Sequence, residues 1–247
     1  MIIQEKVPAF PLSIIIPALD EEKALPGALK SLEKQADDPP FEVVLSDGGS
    51  TDATIALFQG ATALWPPSQR PARCVVCPRA GRAAQMNMGA RAATGKALLF
   101  LHADTLLPPG GTHAVVQALT DPSVLAGGFR HAFMERGVIL TLISSWATAR
   151  SRLAGIHLGD QAMFVRRASF EAVGGFPEVP LFEDLRLSRA LRERGRTVTL
   201  PLSVATSARR LRQAGMLRMG IRFAWLELRH ALGADPERLK KAYPDVR

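Results

Sequence analysis

The sequence has little cysteine, few aromatic residues and no apolar run long enough to cross a membrane. Two cysteines in 247 residues suggest no disulfide framework and favour a reducing compartment. Cys74 and Cys77 lie three apart in a predicted strand, so their thiols point to opposite faces, which favours packing over pairing. The most apolar stretch lies between Arg136 and Arg150 and is shorter than the roughly 20 residues of a membrane span. We expect no signal peptide and a cytoplasmic location.

Basic residues outnumber acidic residues, which limits the kinds of partner that the chain is suited to bind. The 31 lysines and arginines exceed the 23 acidic residues and give a formal charge of +8. This balance favours nucleic acid, anionic lipid or phosphorylated small molecules without choosing among them. With 47% hydrophobic residues, the chain is long enough to bury a core in one domain, or in one domain with an appendage.

Apolar runs alternate with segments of helical spacing over about the first 100 residues. The predicted strands are 12–16, 41–46, 72–78 and 96–103, and the predicted helices lie at 22–36, 50–60 and 81–95. Strands that alternate with helices predict an α/β fold with a mostly parallel central sheet flanked by helices. The second half is less regular, with predicted strands in VLAGGFRHAFM, QAMFVRR and RTVTLPLSVAT and a helix in EDLRLSRALRERG.

Polar residues follow each of the first four predicted strands. They occur in the segments PALDEE, SDGGSTD, PRAGR and HADT. Open parallel sheets bind ligands beyond the carboxyl ends of their strands, so the four loops together predict a nucleotide site with a cation. Any one loop alone is more simply a solvated loop with a helix cap.

Asp104 lies at the tip of the fourth strand, where a carboxylate is held without a flexible stem. It suits Mg²⁺ or Mn²⁺, because hard cations combine one or two carboxylates with the phosphate oxygens of a substrate. His102 leaves the strand on the same face. It is a second metal ligand, a ribose contact or a hydrogen-bonded histidine at the rim of the sheet.

Five segments, in order, resemble family 2 glycosyltransferases of the GT-A fold. They are SIIIPALDEE, SDGGSTDAT, GRAAQMNMGARAATGKALLFLHADT, GDQAMFVRR and GGFPEVPLFEDLRLSRALRERGR. The last three, with ATSARR, are similar to a bacterial subgroup named for arsenosugar biosynthesis or for neighbourhood with radical-SAM proteins. The resemblance implies metal-assisted, inverting transfer of a sugar from a nucleotide-diphosphate donor, most simply a UDP-sugar, to a hydroxyl group of a small-molecule or lipid-linked acceptor. It implies no nucleic-acid partner.

The resemblance also implies roles for residues of the donor site. The first loop would line the base and ribose, and Asp47 would contact the base edge. Gly48 replaces an acidic residue of the family pattern, and Asp20 stands where asparagine is usual. Asp104 matches the last residue of the Asp-x-Asp metal motif, and His102 stands at its first position. The implied donor contacts are Pro17, Asp20, Glu21, Asp47, Arg82 (near the base or diphosphate) and Asp104.

The catalytic residues implied by the resemblance lie in the second half of the chain. Asp184 matches the general base that takes the proton of the acceptor hydroxyl, and Glu183 would orient it or the acceptor. A carboxylate at a helix N-terminus is also favoured by the helix dipole alone, by about 0.3–1 kcal/mol. Asp160 and Gln161 would face the donor sugar or the acceptor hydroxyls.

We predict a catalytic domain over residues 1–208, with a nucleotide-binding half to about residue 105 and an acceptor half from about residue 106. The remainder, 209–247, is predicted to be helical and basic. It is a packed helix with a solvated basic face, a lid in which Arg209 and Arg210 clamp the diphosphate, or a peripheral contact with an anionic membrane at its inner face.

Two other functions are compatible with parts of the sequence. A nucleotide-sugar pyrophosphorylase should carry a glycine-rich phosphate loop near its N-terminus, and PALDEEKALPG matches that pattern poorly. A basic, non-catalytic protein that binds nucleotides, nucleic acid or membranes has no use for carboxylates at Asp104 and Asp184 without a cation.

Overall fold

The computed structural model describes residues 10–35, 39–79 and 81–215 together with Trp225 and Arg229. Its strands all belong to one mixed sheet. They are β1 (Leu12–Ala18), β2 (Phe41–Asp47), β3 (Ala72–Val76), β4 (Ala97–Phe100), β5 (Thr105–Leu106), β6 (Val124–Phe133), β7 (Phe164–Arg166) and β8 (Arg196–Thr206). Their order across the sheet is β3-β2-β1-β4-β7-β6-β8-β5.

Helices cover both faces of this sheet. They are α1 (Leu25–Glu33), α2 (Thr54–Thr62), α3 (Arg82–Ala92), α4 (Gly111–Ala118), α5 (Val138–Ala154), α6 (Arg167–Ala172), α7 (Glu183–Arg194) and α8 (Arg209–Ala214), with a 3₁₀ turn at Gly159–Gln161. Among the described residues, no helix is both long enough and apolar enough to span a bilayer. The predicted helix beyond Gly215 lies almost wholly outside the described residues.

The strand directions gather most strand ends on one side of the molecule. β1 runs parallel to β2 and β4, β2 runs parallel to β3, and β6 runs parallel to β8. Only β7 and β5 run the other way. The carboxyl ends of six strands therefore share one edge, called the rim below. The predicted α/β fold with a mostly parallel sheet flanked by helices is confirmed.

The core lies on both sides of β1, as expected for a strand covered by helices on both faces. Leu12, Ile14 and Ile16 pack into one apolar cluster, whereas Ile15 packs into the other on the opposite face. All four are fully buried. Burial of each such side chain contributes roughly 1.5–3 kcal/mol to folding, so the central strand that leads to the rim is firmly held.

Glu42 is a buried acid near the opposite, amino end of the strands. Its Oε1 accepts hydrogen bonds from Ser13 Oγ (2.6 Å), Thr94 N and Gly95 N (3.0 Å), and its Oε2 lies 3.0 Å from Arg73 NH2. Burial alone would raise the pKa of Glu42, but these hydrogen bonds and the Arg73 charge hold it below its usual range. The charged carboxylate therefore joins three chain segments far from the rim.

Several segments differ from their predicted structure, and β5, α4 and α6 were not predicted. β4 ends at Phe100 instead of at residue 103, so Asp104 directly precedes β5. β1 continues through Pro17 to Ala18, because the fixed φ of proline is compatible with an extended chain. The apolar stretch after Arg136, for which no element was predicted, forms α5, and Gly155 ends this helix with a φ of +68° in the left-handed region.

Candidate functional site

The loops after β1 and β2 are joined by hydrogen bonds between their side chains and backbone. Asp20 N donates to Ser50 Oγ (2.9 Å), and Thr51 N donates back to Asp20 Oδ1 (2.8 Å). Glu21 N donates to Thr54 Oγ1 (2.8 Å). Asp20 has a φ of +54°, a conformation in which Asn and Asp are enriched, so both the usual asparagine and this aspartate suit the position. The two loops form one wall of the rim.

Asp47 turns the chain at the end of β2. Its Oδ1 accepts hydrogen bonds from Gly49 N and Ser50 N, both at 2.8 Å, and its Oδ2 accepts one from Ser50 Oγ at 2.5 Å. The carboxylate is fully buried, so its hydrogen bonds shape the loop itself. The implied contact of Asp47 with a base edge stays a prediction.

Gly48 departs from the acidic residue of the family pattern for a packing reason. A Cβ there would lie 2.6 Å from Gln85 Nε2, which itself donates to Ala18 O at 2.6 Å. The Gln85 side chain from α3 thus fills the space that a side chain at position 48 would need. Sequence analysis gave Gln85 no role, because only the fold brings α3 against this loop.

Arg209 lies between two carboxylates at the rim. Its NH2 is 2.8 Å and 2.5 Å from the two oxygens of Glu21, and its Nε is 3.8 Å from Asp104 Oδ2. Ser207 N donates to Asp104 O (3.1 Å), which fixes the end of β8 against the tip of β4. The structure therefore brings together Glu21, Asp104 and Arg209, three residues predicted from separate segments.

Arg82 lies between a second pair of carboxylates. Its Nε donates to Glu183 Oε1 at 2.5 Å, and its NH2 is 3.6 Å from Asp184 Oδ2. Both acids are buried at the start of α7, where the helix dipole favours negative charge. The resemblance implied that Arg82 lies near the base or diphosphate, whereas the structure shows it against the two acids.

Gly159 connects the tip of β4 to these acids. Its N–H donates to Asp184 Oδ2 at 2.8 Å. A Cβ on Gly159 would lie 2.6 Å from His102 Nε2 and 3.3 Å from Asp184 Oδ2. His102 and Asp184 therefore flank the same backbone position, and the two predicted halves of the site meet there.

Asp160 and Gln161, neighbours in the 3₁₀ turn, face different ways. Asp160 is partly exposed, and its Oδ2 is 3.6 Å from Nε2 of His131, a buried β6 residue that sequence analysis missed. Gln161 is fully buried, and its Nε2 donates to Phe129 O and Ser151 Oγ, both at 3.0 Å. The Gln161 amide therefore anchors the turn, and its implied contact with the donor or acceptor stays a prediction.

Pro17 and Arg210, two further residues predicted for the site, lie outside the contacts described above. Pro17 is buried within β1, opposite Ser46, and its implied contact with the donor stays a prediction. Arg210 belongs to α8, but its side chain lies outside the described part of the chain.

Backbone strain also marks the rim. Among the described residues, the non-glycine residues with positive φ are Asp20, Ala162 and Phe182. Asp20 lies in the first loop, Ala162 follows the 3₁₀ turn, and Phe182 directly precedes Glu183. Such conformations cost on the order of 1–3 kcal/mol each and cluster at functional sites.

The residues at the rim fit a divalent cation that arrives with its ligand. No three His, Cys, Asp or Glu side chains in the described ranges converge into a complete metal site. Asp104 offers one carboxylate, and Arg209 beside it shows that the position accommodates positive charge. Mg²⁺ and Mn²⁺ favour this donor set when phosphates supply further oxygens. Ligation by His102, whose Nε2 lies against Gly159, stays a prediction.

Comparisons with known proteins find relatives of this chain in sequence and in fold. The profile of glycosyl transferase family 2 matches residues 13–172. A PGL/p-HBAD biosynthesis glycosyltransferase of Mycobacterium bovis is 33% identical over 173 residues, which cover 66% of this chain and 62% of the relative. The chain thus spans less than two thirds of the length of that relative.

Two solved structures share the fold at low sequence identity. The mannosyltransferase PcManGT of Pyrobaculum calidifontis, in complex with GDP-Man and Mn²⁺, gives a TM-score of 0.63 at 24% identity over 82% of this chain and 58% of its own. Glucosyl-3-phosphoglycerate synthase of Mycobacterium tuberculosis, in complex with Mn²⁺, UDP and phosphoglyceric acid, gives 0.64 at 18% identity over 92% of this chain and 80% of its own. The likeness identifies the GT-A fold.

Proposed function

The chain belongs to glycosyl transferase family 2, and from this we propose that it transfers a sugar, with inversion and with a divalent cation, from a UDP-type donor to a hydroxyl acceptor. Gly159 carries the strongest support, because its contacts bring Asp184 next to His102 at the tip of β4. A base and a diphosphate site must share one cleft, because the acceptor oxygen that the base deprotonates attacks the sugar carbon from the side opposite the diphosphate.

The donor side depends on Asp104 and Arg209. A bound Mn²⁺ or Mg²⁺ would neutralise charge on the diphosphate as it leaves. Asp104 would hold that cation, and Arg209 would exchange its contact with Asp104 for a phosphate oxygen. Glu21 keeps the guanidinium at the rim, since two of its oxygens contact NH2. No acid is needed to protonate the leaving group, because a nucleoside diphosphate departs readily as an anion.

The acceptor side depends on Asp184. Its carboxylate would take the hydroxyl proton as the acceptor oxygen attacks the anomeric carbon from the face opposite the diphosphate, which inverts that carbon. Gly159 N–H fixes one carboxylate oxygen, and Arg82, held by Glu183, stabilises the negative charge. Glu183 thereby positions the base indirectly.

The acceptor is a small molecule or a lipid-linked hydroxyl compound, and a peripheral contact with a membrane suits the second case. The likeness to the bacterial subgroup named for arsenosugar biosynthesis leaves both open. A non-catalytic binding role is less compatible with the rim, because each arginine there is matched with two carboxylates and leaves little net positive charge for an anion without a cation.

A thermal-shift titration with UDP, GDP and UDP-sugars, with and without Mn²⁺, tests the donor side. We expect UDP with Mn²⁺ to raise the melting temperature in proportion to the logarithm of its concentration above Kd. Asp104→Ala should abolish the Mn²⁺-dependent part of that shift. Glu171→Ala, which removes an exposed acid on α6, should retain it. No shift with any nucleotide, or an equal shift in Asp104→Ala, would refute the cation assignment.

Turnover tests the acceptor side. With the UDP-sugar that gives the largest shift, and with water as the acceptor in slow hydrolysis of the donor, Asp184→Asn should keep the shift but release UDP at least about 100-fold more slowly, because a general base contributes 10²–10⁴-fold. Unchanged release would exclude Asp184 as the base. Formation of a nucleoside triphosphate from the sugar donor and pyrophosphate would instead favour a pyrophosphorylase.

A further inference from the structure

One side of α5 exposes an apolar stripe to solvent. Its members are Val138 (79% exposed), Ile139 (38%), Leu142 (64%), Trp146 (67%) and Leu153 (88%). At 3.6 residues per turn, these five positions fall within an arc of about 100°. The opposite side of the helix, with Leu140, Ala147 and Ser151, is buried against the rest of the fold. Contiguous exposed apolar surface of this kind usually marks an interaction site.

Basic residues border this stripe. Arg152 is exposed and falls on one side of it around the helix axis, whereas Arg150, on the other side, is only partly exposed and has a buried Nε. Arg136 and Arg212 line a shallow cavity of about 250 Å³ at the amino end of α5, together with residues 137–140. The helix itself contains no acidic residue. An apolar stripe with basic borders is complementary to a surface that is apolar inside and negatively charged outside.

We propose that the apolar stripe of α5 docks on the surface of an anionic lipid bilayer. The apolar side chains would enter the boundary between headgroups and acyl chains, and the arginines would contact lipid phosphates. Trp146 lies near the middle of the stripe, and tryptophan is enriched at such interfaces because it is apolar with one polar N–H. At about 1.5 Å per residue the 17-residue helix is only about 25 Å long, so it would lie on the bilayer rather than cross it.

A second copy of the chain fits the stripe less well. Two stripes placed face to face would bring the arginines of both copies together in a protein that already carries a formal charge of +8. Anionic lipid removes this repulsion. The surface also differs from the membrane contact predicted for the basic segment after residue 209, most of which lies outside the described residues.

A membrane contact at α5 would also bring the bilayer near the acceptor side of the site, an inference that rests on the proposed function. Ser144 of α5 contacts His131 Nδ1 at 3.0 Å, and His131 Nε2 lies 3.6 Å from Asp160 Oδ2. The helix also contacts the turn that holds Asp184 directly, because Gln161 Nε2 donates to Ser151 Oγ of α5 at 3.0 Å. A bilayer against α5 would present a lipid-linked hydroxyl group to the Asp160 side of the rim.

Vesicle co-sedimentation of the full chain tests the contact without any substrate. We expect binding to phosphatidylcholine vesicles that contain phosphatidylglycerol, weaker binding at high salt, and little binding to phosphatidylcholine alone. Leu142→Glu and Trp146→Glu should each lower the partition coefficient at least about tenfold, because each replaces an apolar group at the boundary with a charge. Leu64→Glu, which adds the same charge at another exposed leucine (92%), should bind like the wild type.

The UDP–Mn²⁺ thermal shift should be unchanged in the Leu142→Glu and Trp146→Glu proteins, which separates a failed membrane contact from a failed donor site. Equal vesicle binding by these variants and the wild type would overturn the proposal, as would no binding to phosphatidylglycerol vesicles. A concentration-dependent dimer that Trp146→Glu dissociates, without vesicle binding, would assign the stripe to a second copy instead.

Discussion

Acidification is expected to destabilise the fold through one imidazole, that of His157. This side chain is buried behind the 3₁₀ turn, with Nε2 at 3.0 Å from Thr199 Oγ1, and its backbone N–H donates to Ser188 Oγ at 2.8 Å. A Cβ on Gly128 would lie only 2.8 Å from the ring, so water has little room there. Burial, together with the charge of Arg150, lowers the pKa of His157 from 6.5 to about 4.

The direction and size of the effect follow from proton linkage. The unfolded chain protonates His157 near its ordinary pKa, whereas the folded chain keeps it neutral until about pH 4. Between these values the unfolded state binds more protons, so the free energy of unfolding falls as the pH falls. Each pH unit in this window costs about 1.4 kcal/mol, which amounts to about 2 kcal/mol at about pH 5 and about 3 kcal/mol near pH 4.

Urea unfolding of the wild type and His157→Gln, at about pH 7 and about pH 5, isolates this contribution. Glutamine keeps a hydrogen-bonding group near Thr199 but does not titrate. The drop in unfolding free energy between the two pH values should be about 2 kcal/mol smaller in the variant, even if the variant is less stable at pH 7. The comparison between proteins cancels the other histidines. An equal drop in both proteins would refute the assignment of a buried, neutral His157.

Two further substitutions test the rim and the far end of the sheet. Gly159→Ala should lower UDP release at least about tenfold, because the new Cβ would press on His102 and Asp184 and weaken a charged hydrogen bond, whereas Gly60→Ala adds its methyl group in open space and should leave release unchanged. Glu42→Gln should lower the free energy of unfolding by about 3 kcal/mol at neutral pH. Because the pKa of Glu42 is lowered in the fold, its contribution is present above its ordinary pKa and is lost as the pH falls through the lowered value, so urea unfolding of the variant should depend less on pH in acid.

The parts of the fold that sequence predicts well are those fixed by local pattern. Apolar runs bounded by polar loops located β1, β2, β3 and β4, and helical spacing located α1 and α7. The pattern fails for α5, because its apolar residues are divided between a buried side and the exposed stripe and give no amphipathic signal. Tertiary packing, rather than the local sequence pattern, determines that this segment is helical.

For the site, too, features set by the local sequence could be predicted, whereas features set by contacts between distant segments could not. Strand tips identified Asp104 and Glu21 as rim residues, since parallel strands deliver their ends to one edge. Asp160 and Gln161 were given one role from sequence, whereas in the fold Asp160 is partly exposed and the Gln161 amide turns inward to Phe129. Sequence gives the residue type at a turn, but only the fold gives the direction of the side chain.

The two arginines of the rim show what sequence leaves undetermined about its electrostatics. Arg209 contacts Glu21, 188 residues away, and Arg82 contacts Glu183, 101 residues away. The contacts differ more than the exposure, because Arg209 Nε lies 3.8 Å from Asp104 whereas Arg82 Nε donates to Glu183 at 2.5 Å, and the side chains of Asp104 and Asp184 are 12% and 11% exposed. On the proposed function, a cation held by Asp104 would replace the long contact of Asp104 with Arg209, whereas release of Arg82 would remove a cationic partner from both Glu183 and Asp184. We therefore expect Arg209 to move during the reaction and Arg82 to stay in place.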